Sequence, residues 1–273
     1  MVDTSRSTRL LSVVMPCYRQ ERTVSENIIR TLQALSGLHR DYELIVVVDG
    51  KVDKTYRNAK KHASSNVKVV GYAKNKGKGY ALRYGMVRSK GDVIAFIDGG
   101  KDLNPKGLRM LLAHFEWYNA DIVVGSKWHR VSIVHYPLWR RIISIGYGLL
   151  VKLFFGLQIR DTQLGMKCYK RKVLEVVLPR LLVKKFAFDI ELLAVANRLG
   201  FTRIYEAPVE LDWDSIESSV SRNIIRSIWD TLWDTLAVYY RLNIVRFYDS
   251  GSKRKWEYDP DLDFRITTGE LQK

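Results

Sequence analysis

Apolar runs alternate with amphipathic segments through the first half of the chain. The apolar runs predict strands at residues 11–16, 42–48, 67–72, 92–97 and 120–125. Several of these runs show no alternation between polar and apolar positions, which is typical of strands that are covered on both faces. Between them, apolar positions recur with a helical period, which predicts helices at 22–36, 53–64 and 78–89. This order predicts an α/β fold with a mostly parallel sheet that is flanked by helices.

The second half of the chain is more aromatic and has longer helical patterns. Apolar positions predict helices at 137–157, 186–199 and 221–247 and a strand at 201–210. We expect one α/β domain over residues 1–215, followed by an amphipathic helix within 216–248 that packs on this domain or on a membrane surface. Residues 249–273 are polar and predict a loosely held tail.

The chain carries a large positive charge. It has 45 Lys and Arg against 29 Asp and Glu, which gives a formal charge of +16. A surplus of this size indicates a polyanionic partner, such as a nucleic acid, an anionic membrane surface or a phosphorylated substrate. Because no recognised nucleic-acid-binding motif occurs, we expect no nucleic-acid partner. The two cysteines, Cys17 and Cys168, are far apart in sequence and predict buried thiols.

No segment of the sequence predicts a membrane span. The N-terminal residues contain no long apolar region, so we expect no signal peptide. The most apolar segment, 142–157, contains Lys152 and is shorter than the roughly 20 residues that a spanning helix needs. We therefore expect a cytoplasmic protein that lies peripherally at the inner face of the cell membrane. Few glutamines beside many Lys and Arg are typical of a thermophile.

Polar clusters follow three of the predicted strands. They are Pro16–Glu21, Asp49–Asp53 and Asp98–Asp102. The carboxyl ends of parallel strands meet at one edge of a sheet, where ligands bind. Two carboxylates there, at Asp98 and Asp102, are suited to hold a divalent cation and through it a diphosphate. The alternative for each cluster is ordinary turn chemistry without a ligand.

A basic, glycine-rich loop precedes the helix predicted at 78–89. Residues 74–79 contain two Gly and three Lys. Backbone N–H groups, the positive end of the helix dipole and ammonium groups all favour a phosphate in this place. The loop matches neither the Walker pattern nor the dinucleotide fingerprint, and a solvated basic turn is the alternative.

A family resemblance rests on six segments in their order along the chain: PCYRQE, VVVDGKVDKT, NKGKGYALRYG, GDVIAFIDGG, DTQLGMKCYKR and FAFDIELL. Together they resemble the family 2 glycosyltransferases of the GT-A fold, and among these the dolichol-phosphate mannose and glucose synthases. The similarity covers roughly residues 10–215, which makes this range the expected catalytic domain. The resemblance implies an inverting enzyme that uses a nucleotide-diphosphate sugar, usually with Mg²⁺ or Mn²⁺. We expect GDP-mannose as the donor, UDP-glucose next, and polyprenyl or dolichyl phosphate as the acceptor.

The resemblance also implies roles for individual residues. Those expected around the donor nucleotide are Pro16, Tyr18, Glu21, Asp49, Lys76, Lys78, Asp98 and Gly99. Those expected in catalysis are Asp98, Asp102, Gln163, Asp189, Glu191 and Arg222, of which Asp98, Asp102 and Gln163 are also expected to hold the metal. Those expected at the acceptor phosphate are Lys127, Arg140, Arg141 and Ser144, where arginine offers two parallel hydrogen bonds.

The sequence departs from the family pattern at the metal-binding motif. The usual D-x-D motif reads Asp98-Gly99-Gly100 here, so its second acid is missing. Asp102 fits the third acid of an extended motif, and Lys101 is a cation that is placed to replace the metal. Two alternatives stay open. One is the same donor chemistry with a glycan hydroxyl as acceptor, for which Asp189 is the candidate general base, and the other is a nucleotide-sugar-binding module without activity.

Overall fold

A central sheet with helices on both faces forms the body of the protein. The computed structural model describes residues 10–100, 103–134, 138–185, 187–211 and 224–271, and only the backbone of residues 134, 138–142 and 224–227. The strands are β1 (Leu11–Cys17), β2 (Tyr42–Asp49), β3 (Val67–Tyr72), β4 (Val93–Ile97), β5 (Ile122–Ser126), β6 (Ile133–Val134), β7 (Met166–Lys170), β8 (Ile204–Pro208), β9 (Glu210–Leu211), β10 (Arg254–Asp259) and β11 (Phe264–Leu271). The helices are α1 (Val24–Ser36), α2 (Thr55–Lys60), α3 (Lys78–Val87), α4 (Gly107–Trp117), α5 (Leu138–Phe155), α6 (Arg171–Val177), α7 (Phe188–Arg198) and α8 (Ile224–Tyr239).

Seven strands form the central sheet in the order β3-β2-β1-β4-β7-β5-β8. Among these strands, β7 runs antiparallel to its neighbours β4 and β5, and the other pairs are parallel. The prediction of a mostly parallel sheet is therefore confirmed. At one end of the antiparallel pair, Met166 of β7 faces Ile97 of β4. The loop that enters β7, residues 161–165, consequently lies at the same edge as the carboxyl ends of the parallel strands.

Successive strand residues contribute to two apolar cores. Val14 belongs to the core that contains residues of α3, α6 and α7, whereas Val13 and Met15 belong to the core that contains residues of α1, α2 and α4. This double coverage explains the missing polar–apolar alternation in the strands. Both cysteines are free and buried, as predicted.

Helices α5 and α8 pack against each other. The rings of Phe154 and Tyr239 lie 4.7 Å apart, and the hydroxyls of Tyr147 and Thr235 lie 2.9 Å apart. The helix predicted at 221–247 is found as α8 and a π-helical turn at Tyr240–Ile244, with residues 221–223 outside the described part. The domain limits at 215 and 248 stay predictions. Among the residues that the structure describes, no helix combines the length and apolar character that crossing a bilayer requires.

The segment after residue 249 is an ordered hairpin rather than the loosely held tail that its polarity predicted. Strands β10 and β11 pair antiparallel, with Asp259 opposite Phe264. Leu262 in the connecting turn is buried, and Phe264 packs against the core that contains α3. A few buried apolar side chains therefore hold this mostly polar segment against the body of the protein.

Candidate active site

The carboxyl edge of the sheet gathers the loops that the sequence singled out. The strands β2, β1 and β4 are neighbours in the sheet, so the loops that follow them lie side by side. The loop before β7 joins them, because the Asp98 N–H donates to the Gly165 carbonyl at 2.7 Å. This edge is where ligands bind in open α/β sheets.

Four charged side chains form a continuous cluster at this edge, here named the charged cluster. The ammonium of Lys78 lies 2.9 Å from the Asp98 carboxylate and 3.7 Å from the Asp189 carboxylate. On its other side, Asp189 accepts a hydrogen bond of 2.7 Å from the Lys167 ammonium. The structure thus brings together three residues that the sequence predicted, and adds Lys167. Negative and positive charges alternate along the cluster in the order Asp98, Lys78, Asp189 and Lys167, and the four formal charges cancel.

Lys167 is a functional candidate that sequence reasoning missed. Its side chain is buried, and its ammonium also donates to the Leu164 carbonyl at 2.7 Å. Burial lowers the pKa of Lys167, and the neighbouring Asp189 carboxylate opposes that shift. A lysine inside the otherwise largely apolar strand Met166–Lys170 is the signal that would have found it, because a buried ammonium needs a carboxylate partner.

Two glycines allow the basic loop to pack against the start of α7. Gly77 has a φ of +97°, and a Cβ atom there would lie 2.5 Å from the Lys184 carbonyl oxygen. A Cβ atom on Gly79 would lie 2.5 Å from the Cβ of Phe188. Since Lys78 lies between these glycines and Asp189 follows Phe188, this close approach brings the Lys78 ammonium to Asp189.

Asp49 organises the basic loop from within the protein. Its buried carboxylate accepts hydrogen bonds from Asn75 Nδ2 at 2.8 Å, from the backbone N–H of Lys76 at 2.8 Å and from the Tyr72 hydroxyl at 2.9 Å. The Gly77 N–H adds a further bond at 3.1 Å. A carboxylate has about four lone-pair sites, and these donors occupy them. In this arrangement Asp49 holds the loop in place, and its predicted role at the base or ribose stays a prediction.

Lys76, which was also predicted at the donor, contacts the C-terminal hairpin. Its ammonium donates to Asp261 at 2.6 Å and to the Tyr80 hydroxyl at 3.1 Å. Lys76 and Lys78 flank Gly77, whose positive φ belongs to a turn, and the two ammonium groups contact different parts of the protein. Lys78 therefore faces the charged cluster, whereas Lys76 contacts the C-terminal hairpin.

The remaining residues predicted around the donor nucleotide lie in or just after the last residues of β1 and β4. A Cβ atom on Gly99 would lie 2.9 Å from the Pro16 carbonyl oxygen, so the ends of these two strands touch. The Tyr18 ring is 38% exposed, which leaves it accessible to a base, and the Arg19 guanidinium lies 5.3 Å from its centre. Glu21 accepts a hydrogen bond from the Lys54 N–H at 3.2 Å.

Glu191 is buried inside the protein and does not reach the edge. Its side chain is 0% exposed and accepts hydrogen bonds from the N–H groups of Leu182 at 3.0 Å and Val183 at 2.9 Å. The Tyr248 hydroxyl donates to the same carboxylate at 2.6 Å. Because protein donors surround its oxygens, the geometry favours a structural role for Glu191 over the predicted catalytic one.

We expect Glu191→Ala to destabilise the protein without impairing its chemistry. The substitution leaves three buried donors without an acceptor, which costs about 2–5 kcal/mol of unfolding free energy. Urea unfolding measures this loss, and kcat/KM of the folded fraction should stay near that of the wild type. Glu175→Ala, at an exposed position of α6, is the matched control. A large fall in kcat at unchanged stability would restore the catalytic role.

The loop at residues 161–165 connects the site to α5 and to β5. The Lys127 ammonium donates to Asp161 at 2.8 Å, which commits this predicted acceptor ligand to an internal ion pair. Burial alone would raise the pKa of Asp161, but Lys127 outweighs it and the pKa is lowered. The Gln163 amide donates to the Tyr147 hydroxyl at 3.2 Å, and Ser144 is half-buried on α5.

Four predicted site residues lie wholly or partly outside the described part of the structure. Asp102 and Arg222 lie outside the described residues, and only the backbone of Arg140 and Arg141 is described. Their predicted roles stay predictions.

Of the described carboxylates at this edge, Asp98 is partly exposed and accessible to a divalent cation, whereas Asp189 is buried and paired with Lys167. Within the described residues, no group of three or more His, Cys, Asp or Glu is placed to hold a metal. Asp98 is the first acid of the motif, Asp102 lies outside the described residues, and Gln163 directs its amide N–H to Tyr147. Mg²⁺ commonly takes one or two carboxylates together with substrate phosphate oxygens. A single carboxylate therefore fits an ion whose coordination a bound diphosphate completes.

Comparisons with known proteins identify the chain as a glycosyltransferase of the GT-A fold. The family model described as Glycosyl transferase family 2 matches residues 12–178, and the chain belongs to this family. Human dolichyl-phosphate beta-glucosyltransferase is 33% identical over 231 residues, which cover 78% of this chain and 69% of that protein. The Drosophila melanogaster enzyme of the same name is 32% identical over 225 residues, covering 77% and 68%. The resemblance to the dolichol-phosphate branch is confirmed, whereas these relatives give no support to mannose.

Solved structures agree on the fold. Glucosyl-3-phosphoglycerate synthase from Mycobacterium tuberculosis, in complex with Mn²⁺, UDP and glucosyl-3-phosphoglycerate, superposes with a TM-score of 0.64. The match covers 96% of this chain and 88% of that chain at 21% identity. This likeness confirms the GT-A fold that the sequence predicted.

Proposed function

We propose that this protein transfers glucose from UDP-glucose to dolichyl or another polyprenyl phosphate, with inversion at the anomeric carbon. The observation that carries the proposal is the charged cluster around Asp98, at the carboxyl edge of a family 2 glycosyltransferase sheet. The human and fly relatives, which are dolichyl-phosphate glucosyltransferases by name, support the acceptor and the sugar. Glucose thus takes the place of the mannose that we expected from the sequence alone.

The proposed reaction is a single displacement. An oxygen of the acceptor phosphate attacks the anomeric carbon opposite the diphosphate, the bond from that carbon to the diphosphate oxygen breaks, and UDP leaves with the electron pair. A phosphate monoester is already ionised near neutral pH, so the acceptor needs no strong general base. This chemistry suits a site in which Asp189 is ion-paired with Lys167 and lies near Lys78.

The leaving diphosphate needs positive charge that the charged cluster does not supply. Lys78 is directed to Asp98, and the four formal charges of the cluster cancel. We therefore propose that Asp98 and the diphosphate hold Mg²⁺ or Mn²⁺, and the ion would neutralise the leaving group when bound. The Mn²⁺ and UDP in the mycobacterial structure support this choice. Lys101 and Arg222, outside the described residues, are proposed as further cations.

We propose that α5 and α8 rest on the membrane that holds the lipid acceptor. Each helix exposes apolar side chains at helical spacing, which are Ile145, Leu149 and Leu153 on α5 and Trp229, Trp233 and Leu236 on α8. Tryptophan favours the interface between lipid and water. The formal charge of +16 favours a surface of anionic lipids. A peripheral location at the membrane follows from this proposal.

Removing the exposed tryptophans of α8 should weaken membrane binding. Trp229 is 67% exposed and Trp233 is 73% exposed, so their joint replacement by serine leaves the core intact. We expect at least about tenfold weaker co-sedimentation with phosphatidylcholine–phosphatidylserine vesicles, because burying one large apolar side chain contributes about 1.5 kcal/mol or more. Trp117→Ser, which removes an 85% exposed tryptophan from α4, is the control. Equal binding by both variants would contradict the membrane surface.

A donor panel tests the proposed function. Purified protein is mixed with dolichyl phosphate in vesicles and with labelled UDP-glucose, UDP-galactose or GDP-mannose, once with Mn²⁺ and once with a chelator. We expect label to enter the lipid from UDP-glucose with Mn²⁺ only. Faster labelling from GDP-mannose would overturn the donor, and transfer that survives the chelator would overturn the metal.

The same assay separates the two alternatives. Hydrolysis of UDP-glucose without lipid labelling would favour a glycan hydroxyl as acceptor. Tight binding of a nucleotide sugar without any turnover would favour a binding module, in line with Gly100 at the second acidic position.

A further inference from the structure

The turn of the C-terminal hairpin covers the beginning of α3. Strands β10 and β11 are joined by residues 260–263. Leu262 of this turn is 2% exposed, and Phe264 after it packs against the core that contains α3. The turn is thus fixed to the body of the protein by apolar contacts, and it holds its polar groups in a set position.

Three donors converge on Asp261 in this turn, one from the basic loop, one from α3 and one from Arg88, the residue after α3. Its carboxylate accepts hydrogen bonds from the Lys76 ammonium at 2.6 Å and from the Tyr80 hydroxyl at 3.3 Å. Its backbone carbonyl accepts from the Arg88 guanidinium at 2.6 Å. The Arg88 guanidinium also lies 3.5 Å from the centre of the Tyr84 ring. A single residue of the hairpin therefore contacts the basic loop, the first turn of α3 and Arg88, which directly follows α3.

Lys76 is held at both of its ends. Its backbone N–H donates to Asp49 at 2.8 Å, at the end of β2, and its ammonium is bound by Asp261, which is 185 residues away in the sequence. The next residue, Gly77, donates to Asp49 as well and leaves no room for a side chain against Lys184. Lys78 follows directly, and its ammonium contacts Asp98. The position of the Lys78 backbone is consequently set by how Lys76 and Gly77 are held.

We propose that Asp261 is a positioning residue of the donor site, which acts through Lys76 to hold the loop that directs Lys78 to Asp98. The C-terminal hairpin is then part of the apparatus that receives the nucleotide diphosphate, although it follows the segment matched by the family model. This inference rests on the proposed function for its consequence at the donor. The other part of the inference, that Asp261 orders the loop, does not depend on any ligand.

The ion pair between Lys76 and Asp261 orders the loop more than it stabilises the whole protein. Lys76 and Asp261 are 35% and 51% exposed at their side chains, and exposed ion pairs contribute little to unfolding free energy. A loop that is ordered before binding saves the ordering cost when the ligand arrives. Loss of Asp261 should therefore change nucleotide binding while the unfolding temperature stays nearly constant.

Asp261→Asn and Lys76→Met, singly and together, test the proposal. In the ligand-free protein, we expect faster amide hydrogen exchange at Lys76 and Gly77 in each variant. For UDP with Mn²⁺, calorimetry should give about threefold to tenfold weaker binding in each single variant. The double variant should be no worse than the weaker single one, because both substitutions remove the same contact. For the transfer reaction, KM for the donor should rise and kcat should stay unchanged.

Glu270→Gln is the matched control, because it removes the exposed contact of Lys255 within the same hairpin. Unchanged amide exchange in Asp261→Asn, or UDP binding equal to that of the control, would overturn the positioning role. A wild-type protein that binds no UDP while Asp261→Asn still speeds the exchange of the loop would overturn the proposed function instead. The two failures are thus distinguishable.

Discussion

The Gly165→Ala variant should fold and should lose sugar transfer by at least about a hundredfold. A Cβ atom at this position would lie 1.8 Å from Asp98 Oδ2 and 2.1 Å from Asp98 Cγ, so the carboxylate has to move. Its new position breaks the contact with Lys78 and displaces the group that faces the diphosphate. A displacement of a catalytic group by about 1 Å can lower the rate about a hundredfold. Measuring kcat/KM beside the unfolding temperature separates this effect from misfolding.

Gly251→Ala provides the control for the added methyl group, since nothing lies within 4 Å of a Cβ atom there. This variant should transfer sugar at the wild-type rate. Activity of Gly165→Ala near that of the control would mean that the position of the Asp98 carboxylate does not matter for the reaction.

The second large effect is expected from Asp98→Asn. The amide keeps the shape of the carboxylate, and the backbone N–H still donates to the Gly165 carbonyl. The negative charge that pairs with Lys78 is removed, and with it the proposed ligand of the divalent ion. We expect kcat/KM to fall by about a hundredfold to a thousandfold, as for the loss of one electrostatic group that stabilises a transition state. Steady-state transfer assays over a range of Mn²⁺ concentrations measure both changes.

Asp92→Asn is the matched control, because Asp92 is an exposed aspartate just before β4, at the opposite end of the same strand. It should leave transfer unchanged. Equal rates for the two variants would remove Asp98 from the mechanism and would favour a donor site formed by basic residues alone.

The location of the site was predictable because it depends on local patterns. Buried parallel strands are recognised from apolar runs, and the residues that follow them must meet at one edge. Asp98 and Lys78 were found in this way, and the structure joins them directly. The family resemblance added Asp189, whose neighbourhood no local pattern reveals.

The reversed strand β7 could not be predicted, because its direction is set by pairing with β4 and β5 rather than by its own sequence. The contact of Gly165 with Asp98 and the buried pair of Lys167 with Asp189 both follow from that reversal. The hairpin after residue 249 was missed for a related reason. A few buried residues such as Leu262 fix it, and average polarity does not reveal them.

Two carboxylates of the predicted site have protein partners that the sequence did not reveal. Asp49 and Glu191 are both buried acids near the predicted site, and a sequence does not tell what their oxygens accept. In the structure, backbone N–H groups and tyrosine hydroxyls bind both of them. Lys127 is a similar case, since its partner Asp161 comes from a distant loop. Polar residues that stabilise loops and polar residues that bind ligands look alike until their partners are known.

The proposed transfer is tested most directly by analysing the product that the purified protein forms from UDP-glucose and dolichyl phosphate with Mn²⁺. We expect a lipid-linked phosphoglucose of inverted, β configuration, one UDP released for each glucose transferred, and no product with Asp98→Asn. Release of glucose and UDP without a lipid product, or a product of retained configuration, would contradict the central claim that an ionised lipid phosphate attacks the donor in a single displacement.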